Sequence, residues 1–540
     1  MYGVIVLCTI LLLCVINAHA GSFHGKDIDL NKMTKRTPKP ENKLSSSLSQ
    51  LLDIYKREGM SKAADFTKSW RYPVKDRKIT LLIEAERINA KSMSFFSNRV
   101  KARLIAMQAR VIGTYKSYIE ARINLDNLKE VSEMNEVKFI RLPFFRKHLI
   151  TSEGVNVTGA SRWHLPEVNY IKPGKPIKVA ILDLGFMGYA SILGIELPAE
   201  VTTRSFREDG DISVNDEHGT AVAEIIHDMA PDAQLYLVNF NTFTEFSNAV
   251  NWLITEQVDV ISFSIGWFNA GAGDGTGPVN EVVDAAANAG IIWVNAAGNE
   301  AVSHWRGTFN DPDGDGWLNY SGEDETNDLQ LNAGDSAYVY MNWNDWYAAD
   351  QDFDLYVLDN AGRKVATSTD QQTGSEWPVE AVEFVAPATG LYHIAVYRYS
   401  GNKSILVEMF ISKNYPQYYT PASSLVIPAD NERAIAAGAT YWSDDELEFY
   451  SSHGPTKDGR IKPDFTAPDG VSTVSYGNGS FFGTSAATPH VSGAFALLKE
   501  KISPFTTSEI RQIIERRSID YGAAGKDTLF GSGRLYLLPQ

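Results

Sequence analysis

Four short apolar runs limit what this chain can fold into more than any other feature. Residues 177–182, 234–239, 258–264 and 291–296 are rich in Val, Ile and Leu, and each is six or seven residues long. They are too short for helices and too evenly apolar for strands with one face in water. Between them, 219–228, 245–255 and 279–289 carry apolar residues at helical spacing. Strands buried on both faces and alternating with helices predict an α/β domain, a parallel sheet with helices on both faces.

The alternation stops near Glu300 and resumes near Leu425. Residues 300–430 hold 20 Asp and Glu against 6 Lys and Arg. Ile405, Val407, Met409 and Ile411 alternate there with Leu406, Glu408 and Phe410, and no helical stretch intervenes. This reads as an all-β sandwich over 305–423, inserted between the two parts of the α/β domain, 151–304 and 424–540.

The start of the chain has a different character. Residues 4–16 are an uncharged apolar run of thirteen, followed by Ala18-His19-Ala20. That is a signal peptide over 1–20, too short for a comfortable membrane span, although a membrane anchor is the competing reading. The only two cysteines, Cys8 and Cys14, lie inside it. Cleavage would leave a chain without disulfides, thiol catalysis or cysteine–zinc sites, held together by core burial. Residues 21–75 are polar with a short helix at 48–57. Beyond them Ile79, Leu81 and Ile83 alternate as in a strand, and Phe96, Val100, Leu104 and Met107 share a helical face. Strand-like runs within 111–125, a helix at 127–134 and a strand at 137–142 complete a β-α-β-β-α-β order. Its reading is a ferredoxin-like α+β unit over about 76–145.

The net charge of −16 argues against a nucleic-acid partner. It conceals a division. Residues 1–150 hold 27 Lys and Arg against 14 Asp and Glu, and the remainder hold 23 against 52. A basic leader and an acidic body either face one another or separate.

Chemistry concentrates where strands end and helices begin. Asp183 follows the strand KVAIL, His218 opens a helix in DEHGTAVAEII, Asn299 follows IIWVNAAG, and Ser485 starts an apolar helix in FFGTSAATPHVSGAFALL. In an open α/β sheet, sites form at the carboxyl ends of strands. Serine needs an adjacent base, the base needs an orienting carboxylate, and an amide suits the oxyanion.

These four boxes, in this order, resemble the subtilisin family of secreted serine endopeptidases. SFSIG at 262–266, YSSHGP at 450–455 and KPDFTAPDG at 462–470 add to the resemblance. It implies a subtilisin-like fold, peptide-bond hydrolysis by Asp183, His218 and Ser485, and an oxyanion site at Asn299. It also implies a substrate strand at Ser264, Ile265, Gly266 and Trp267, and protein or peptide substrates. The leader over 21–150 resembles the family's propeptide, an intramolecular inhibitor removed by self-cleavage between about 144 and 156. No cofactor is needed for that chemistry. Departures from the family pattern fall at Leu184, Ala221, Glu224 and Trp267 and bear on the shape of the cleft. His490 reads as a core histidine, His227 and His453 as structural or exposed. Asp216 and Glu217 are rivals for the orienting carboxylate, but neighbours in sequence rarely reach the far ring nitrogen.

A second signal lies in the insert. Asp311, Asp313 and Asp315, with Gly316 and Asn319, match the start of a calcium loop, though Gly322 stands where a bidentate Glu would complete it. A structural Ca2+ site and a solvated acidic turn both fit. Asp350, Asp352 and Asp354, before the strand LYVLD, read as an exposed alternating strand edge in preference to a second acidic cluster. Two other functional readings remain open at this stage. One is a catalytically inert secreted scaffold that binds through the sandwich. The other is an acid-acting relative, disfavoured by His218 and Asn299. No stable membrane insertion is expected once the signal is removed.

Overall fold

The computed structural model describes residues 43–67, 74–86, 90–143, 146–148, 154–164, 177–214, 216–412, 415–502 and 505–538. The expected signal segment 1–20 lies outside them.

Seven strands form the central sheet, in the order Phe465–Asp469, Ile435–Tyr441, Ile292–Ala296, Val260–Phe263, Lys178–Asp183, Gln234–Asn239 and Thr202–Ser205. Every neighbouring pair is parallel. Alternate side chains of one strand serve two cores. Val179 and Ile181 pack with the helices His218–Met229 and Thr484–Lys501, whereas Ala180 and Leu182 pack with Phe243–Glu256 and Pro278–Asn288. This double burial is the reason the strands read as continuous apolar runs. The polar edge strand Thr202–Ser205 has no such signature, and its pattern did not announce it.

The leader carries an antiparallel sheet ordered Arg110–Tyr115, Tyr118–Asn124, Lys78–Ala85 and Val137–Arg141. The helices Ala90–Ala106 and Leu125–Ser132 and the preceding helix Ser46–Glu58 enclose its core. The opposite face of the sheet lies on the body: Tyr115 and Tyr118 both meet Phe243 edge-on, at 5.7 and 5.8 Å.

Residues 304–412 form two antiparallel sheets of four strands each. Val339, Met341, Val407 and Met409 of one sheet and Leu329, Leu355, Ile394 and Val396 of the other fill a single core. The first sheet is buried on its other face as well, where Tyr340 and Phe410 pack against Phe268 beside the central sheet.

One expectation fails here. Asp352 and Asp354 are buried: by alternation they share the face of Asp352–Asp359 on which Tyr356 and Leu358 pack with Trp317 and Ala395, so that face is covered and not exposed to water. The Tyr356 hydroxyl donates to Asp354 at 2.9 Å. Asp350, just before the strand, pairs with Lys403 at 2.6 Å. Among the described residues no helix is long and apolar enough to cross a membrane.

Candidate active site

Asp183 is the last residue of a central strand and is fully buried. Its Oδ1 accepts the N–H of Leu184 at 2.7 Å, which leaves Oδ2 to face His218 Nδ1 at 2.8 Å. His218 begins its helix with Gly219, where a Cβ would stand 2.6 Å from the Gly185 carbonyl and 2.7 Å from Phe186. Only glycine lets the helix come this close to the strand end. Asp216 proves to be no rival for the ring: its Oδ1 accepts the backbone N–H of His218 at 3.1 Å. Phe481 meets the imidazole edge-on at 6.1 Å.

Ser485 is the second residue of the helix Thr484–Lys501. Gly483 before it has φ 121°, a conformation that side chains disfavour, and so turns the chain sharply into the helix. Pro489 lacks the N–H that would bond the Ser485 carbonyl, and the Ser264 hydroxyl donates there instead at 3.1 Å. In return the Ser485 hydroxyl donates to the Ser264 carbonyl at 3.1 Å. The missing N–H of Pro489 thus leaves room for a pair of hydrogen bonds that ties the Ser485 helix to Ser264.

Asn299 Oδ1 accepts the N–H and the hydroxyl of Thr484, at 2.9 and 3.0 Å. With its oxygen fixed, the amide orientation is set and Nδ2 is the group left to donate. Asn299 and Ser485 therefore share one turn as their anchor.

Ile265, Gly266 and Trp267 form an antiparallel pair with the leader residues His148, Lys147 and Arg146. The backbone edge of this strand is therefore occupied by the chain's own leader. The Trp267 indole is buried, stacked on Phe263 at 5.3 Å within the core. Glu224 also has a role invisible in the sequence. Its carboxylate accepts the N–H groups of Val474 and Ser475, at 2.6 and 3.2 Å, tying the His218 helix to the hairpin before Ser485.

His490 is buried and its Nδ1 donates to the Ala486 carbonyl at 2.7 Å; burial pulls its pKa down to about 4. His227 and His453 are half-buried, and burial lowers the pKa of each. In the insert, the carboxylates of Asp311, Asp313 and Asp315 lie within 4.8 Å of one another. Nearby in sequence, Asn319 is buried with its Oδ1 lacking a hydrogen-bond partner, and its N–H donates to the Asn310 carbonyl at 2.8 Å.

A helix-covered parallel sheet, with an Asp–His pair at one strand end and a serine in the first turn of a helix behind an amide clamp, defines the α/β class of this protein and the groups gathered at its strand ends. The chain belongs to the subtilase family, whose pattern matches residues 174–388 and 400–533, well over half its length. It is 32% identical over 123 residues to the minor extracellular protease Epr of Bacillus subtilis (strain 168), a match covering 22% of this chain and 16% of that protein. It is 36% identical over 115 residues to alkaline elastase YaB of Bacillus sp. (strain YaB), covering 21% and 28%. It is 36% identical over 116 residues to subtilisin BL of Lederbergia lenta, covering 21% and 39%. The matches thus span well under half the length of these curated relatives. The structure of the CspB protease of Clostridium perfringens is similar with a TM-score of 0.52 at 18% identity, over 70% of this chain and 96% of that one. At that identity the likeness is one of fold.

Proposed function

We propose that this chain is a secreted serine endopeptidase made as a self-processing precursor. The observation that carries the reading is the joint placement of His218 on Asp183 and of Asn299 and Ser485 on one turn, beside a strand already paired with polypeptide. Ser485 Oγ attacks the peptide carbonyl while His218 Nε2 takes its proton, later returning it to the leaving amine. Asp183 holds the imidazole by Nδ1 and stabilises the imidazolium. Asn299 Nδ2 and the backbone N–H of Ser485 receive the oxyanion; losing one such donor costs on the order of 3 kcal/mol of transition-state stabilisation.

Within this reading residues 1–20 are the signal, 21–150 the propeptide and 305–423 an inserted sandwich. The leader runs antiparallel to the cleft strand, His148 opposite Ile265 and so nearest Ser264 and Ser485, which supports self-cleavage between His148 and Asn156. Asp311, Asp313 and Asp315 would hold a calcium ion, since hard carboxylate oxygens gathered this closely suit it. The unpartnered Asn319 oxygen supports a further ligand. Such an ion supplies rigidity, not chemistry.

The test is N-terminal sequencing of the secreted protein beside a Ser485→Ala form in a protease-free host, with labelling by a serine-directed phosphonate. Self-processing predicts a trimmed, labelled parent and an intact, unlabelled variant. Trimming of the variant to the same end would remove self-processing, and an unlabelled, inactive parent would remove the peptidase reading.

A further inference from the structure

The leader does not rest on the α/β body alone. Its first helix, Ser46–Glu58, also lies against the insert. The backbone N–H and hydroxyl of Ser46 donate to Asp370, the Thr369 N–H donates to Ser46 Oγ at 2.9 Å, and Gln50 donates to Thr367 Oγ1 at 2.9 Å. Beside these contacts Ser45, Phe139, Arg141, Leu142 and Pro143 of the leader line one side of a cavity. Phe268 and Asn269, which continue the cleft strand, form one wall, and Asp370, Glu376 and Trp377 of the insert form another. The Arg141 guanidinium lies over the Trp377 ring at 5.1 Å and over Phe139 at 4.8 Å.

We propose that this cavity is an extended substrate site that takes an arginine or lysine several residues on the N-terminal side of the scissile bond. The inference rests on the peptidase reading and adds a specificity element built by the insert.

Chain direction supports it. Five residues beyond Arg141, the leader lies on the cleft strand, Arg146 opposite Trp267, and then runs toward Ser264 and Ser485. A substrate held on the same strand edge in the same direction carries its own upstream residues past Phe268 and Asn269 into the same cavity. The walls select a cation. An indole face attracts one electrostatically, and Asp370 and Glu376, which line the same cavity without an ion pair to Arg141, add negative potential at longer range. Glu376 is held in place by the Thr373 N–H at 2.7 Å and the Ser375 hydroxyl at 2.6 Å, so its charge does not swing away. Once the leader leaves, Asp370 loses Ser46, and the wall is open to the next polypeptide.

The experiment uses the mature protein and peptides with the sequence of residues 139–156, carrying Arg141 or the changes Arg141→Ala and Arg141→Glu. A short peptide over 146–156, which does not reach the cavity, is the internal standard for each enzyme preparation. The arginine peptide should be cleaved with a kcat/KM about tenfold above the glutamate peptide, mostly through KM, and the gap should narrow as salt rises. Trp377→Ala and, separately, Asp370→Asn should bring the ratio close to one; if the tryptophan variant fails to fold, the asparagine variant decides. Equal cleavage by the parent overturns the inference, and so does a ratio that survives in every folded variant. Cleavage of no peptide, the short standard included, removes the peptidase reading and this site with it.

Discussion

The carboxylate of Asp469 accepts the backbone N–H of Gly483 at 2.7 Å, two residues before Ser485. Asp469 is buried, and the same oxygen, Oδ2, accepts the Tyr450 hydroxyl. Its other oxygen, Oδ1, has no N–H or O–H donor, and Glu448 is the carboxyl group beside it. Asp469 and Asn299 therefore grip the turn from two sides, the first at Gly483 and the second at Thr484.

Adjacent carboxyl groups withdrawn from water favour sharing a proton, and here Asp469 is buried with Glu448 half-buried beside it. Burial, then Glu448, pushes Asp469 up to about 8, and burial also raises Glu448. A carboxyl raised in the folded state stabilises the fold fully below its unfolded value, near 4, and loses that contribution as pH rises toward 8. In Glu448→Gln the amide can donate to Asp469 Oδ1 at every pH. Its stability should therefore fall less than the parent's between pH 5 and 9, by about 1 kcal/mol or more. Thermal unfolding on the Ser485→Ala background measures this, and parallel pH curves would show that no proton is shared.

A second carboxylate joins leader and body. Glu120 is fully buried and accepts the Phe243 N–H and the Thr244 hydroxyl, each at 2.9 Å, at the start of the helix Phe243–Glu256. Burial raises its pKa to about 7. A group raised in the docked leader favours docking below about pH 4.5 and weakens it as pH climbs to 7. Precursor incubated at pH 8 should thus shed its leader sooner than at pH 5.5, read as the lag before activity in aliquots assayed at one fixed pH. Glu120→Ala leaves two buried donors without an acceptor, at roughly 1–3 kcal/mol each, and should shorten the lag at both values.

Why some of this could be read in advance and some not follows from the range of the contacts. The strand Lys178–Asp183 is apolar because both its faces are covered, and that signal is local. Asp183, His218 and Ser485 stood out because polar residues at strand and helix ends break an apolar pattern. Glu120, Asp354 and Glu408 look like ordinary solvated acids, and only partners far away in sequence or packed sheets on both sides bury them. Trp267 was legible as an oddity, but its rotation into the core depends on Phe240, Phe246 and Phe263. The contact of Ser46 with Asp370 has no sequence signal.

Glu408 joins insert and body. It accepts His304 Nε2 at 2.7 Å, Asn342 Nδ2 at 3.1 Å, and the ammonium of Lys457, which belongs to the α/β part. Burial opposes its ionisation, yet Lys457 and His304 outweigh burial and hold it far below the usual carboxylate range. Its contribution is therefore complete at neutral pH and persists well into acid. Glu408→Ala strands a buried cation and should cost about 3–5 kcal/mol, whereas the pair Glu408→Leu with Lys457→Met should regain much of that. Unfolding curves of the single and double variants decide between a pairing role and loss of packing alone.

The acidic loop of the insert is the place where a metal should act on stability. Asp311 Oδ1 already accepts the Gly314 and Asp315 N–H groups at 2.8 and 3.1 Å, its Oδ2 that of Gly316 at 3.0 Å, and Asp315 that of Trp317 at 3.0 Å. The loop is thus folded around its own carboxylates, which nonetheless repel one another. It is also sewn to the sandwich, since the Arg398 N–H donates to the Gly316 carbonyl and the Leu318 N–H to the Val396 carbonyl, at 2.8 and 2.9 Å. An ion that offsets the repulsion therefore stabilises strands, not only a turn. If it binds the folded state alone, the gain is RT ln(1 + [L]/Kd), about 2.7 kcal/mol at a hundredfold excess over Kd. Asp313 is exposed, so Asp313→Ala removes a ligand and leaves the Asp311 and Asp315 hydrogen bonds standing. Unfolding of the Ser485→Ala protein should shift upward with calcium and downward with chelator, and the added Asp313→Ala change should abolish most of that response. A variant that still responds to calcium as its parent does would place the ion elsewhere and leave this loop a charged turn.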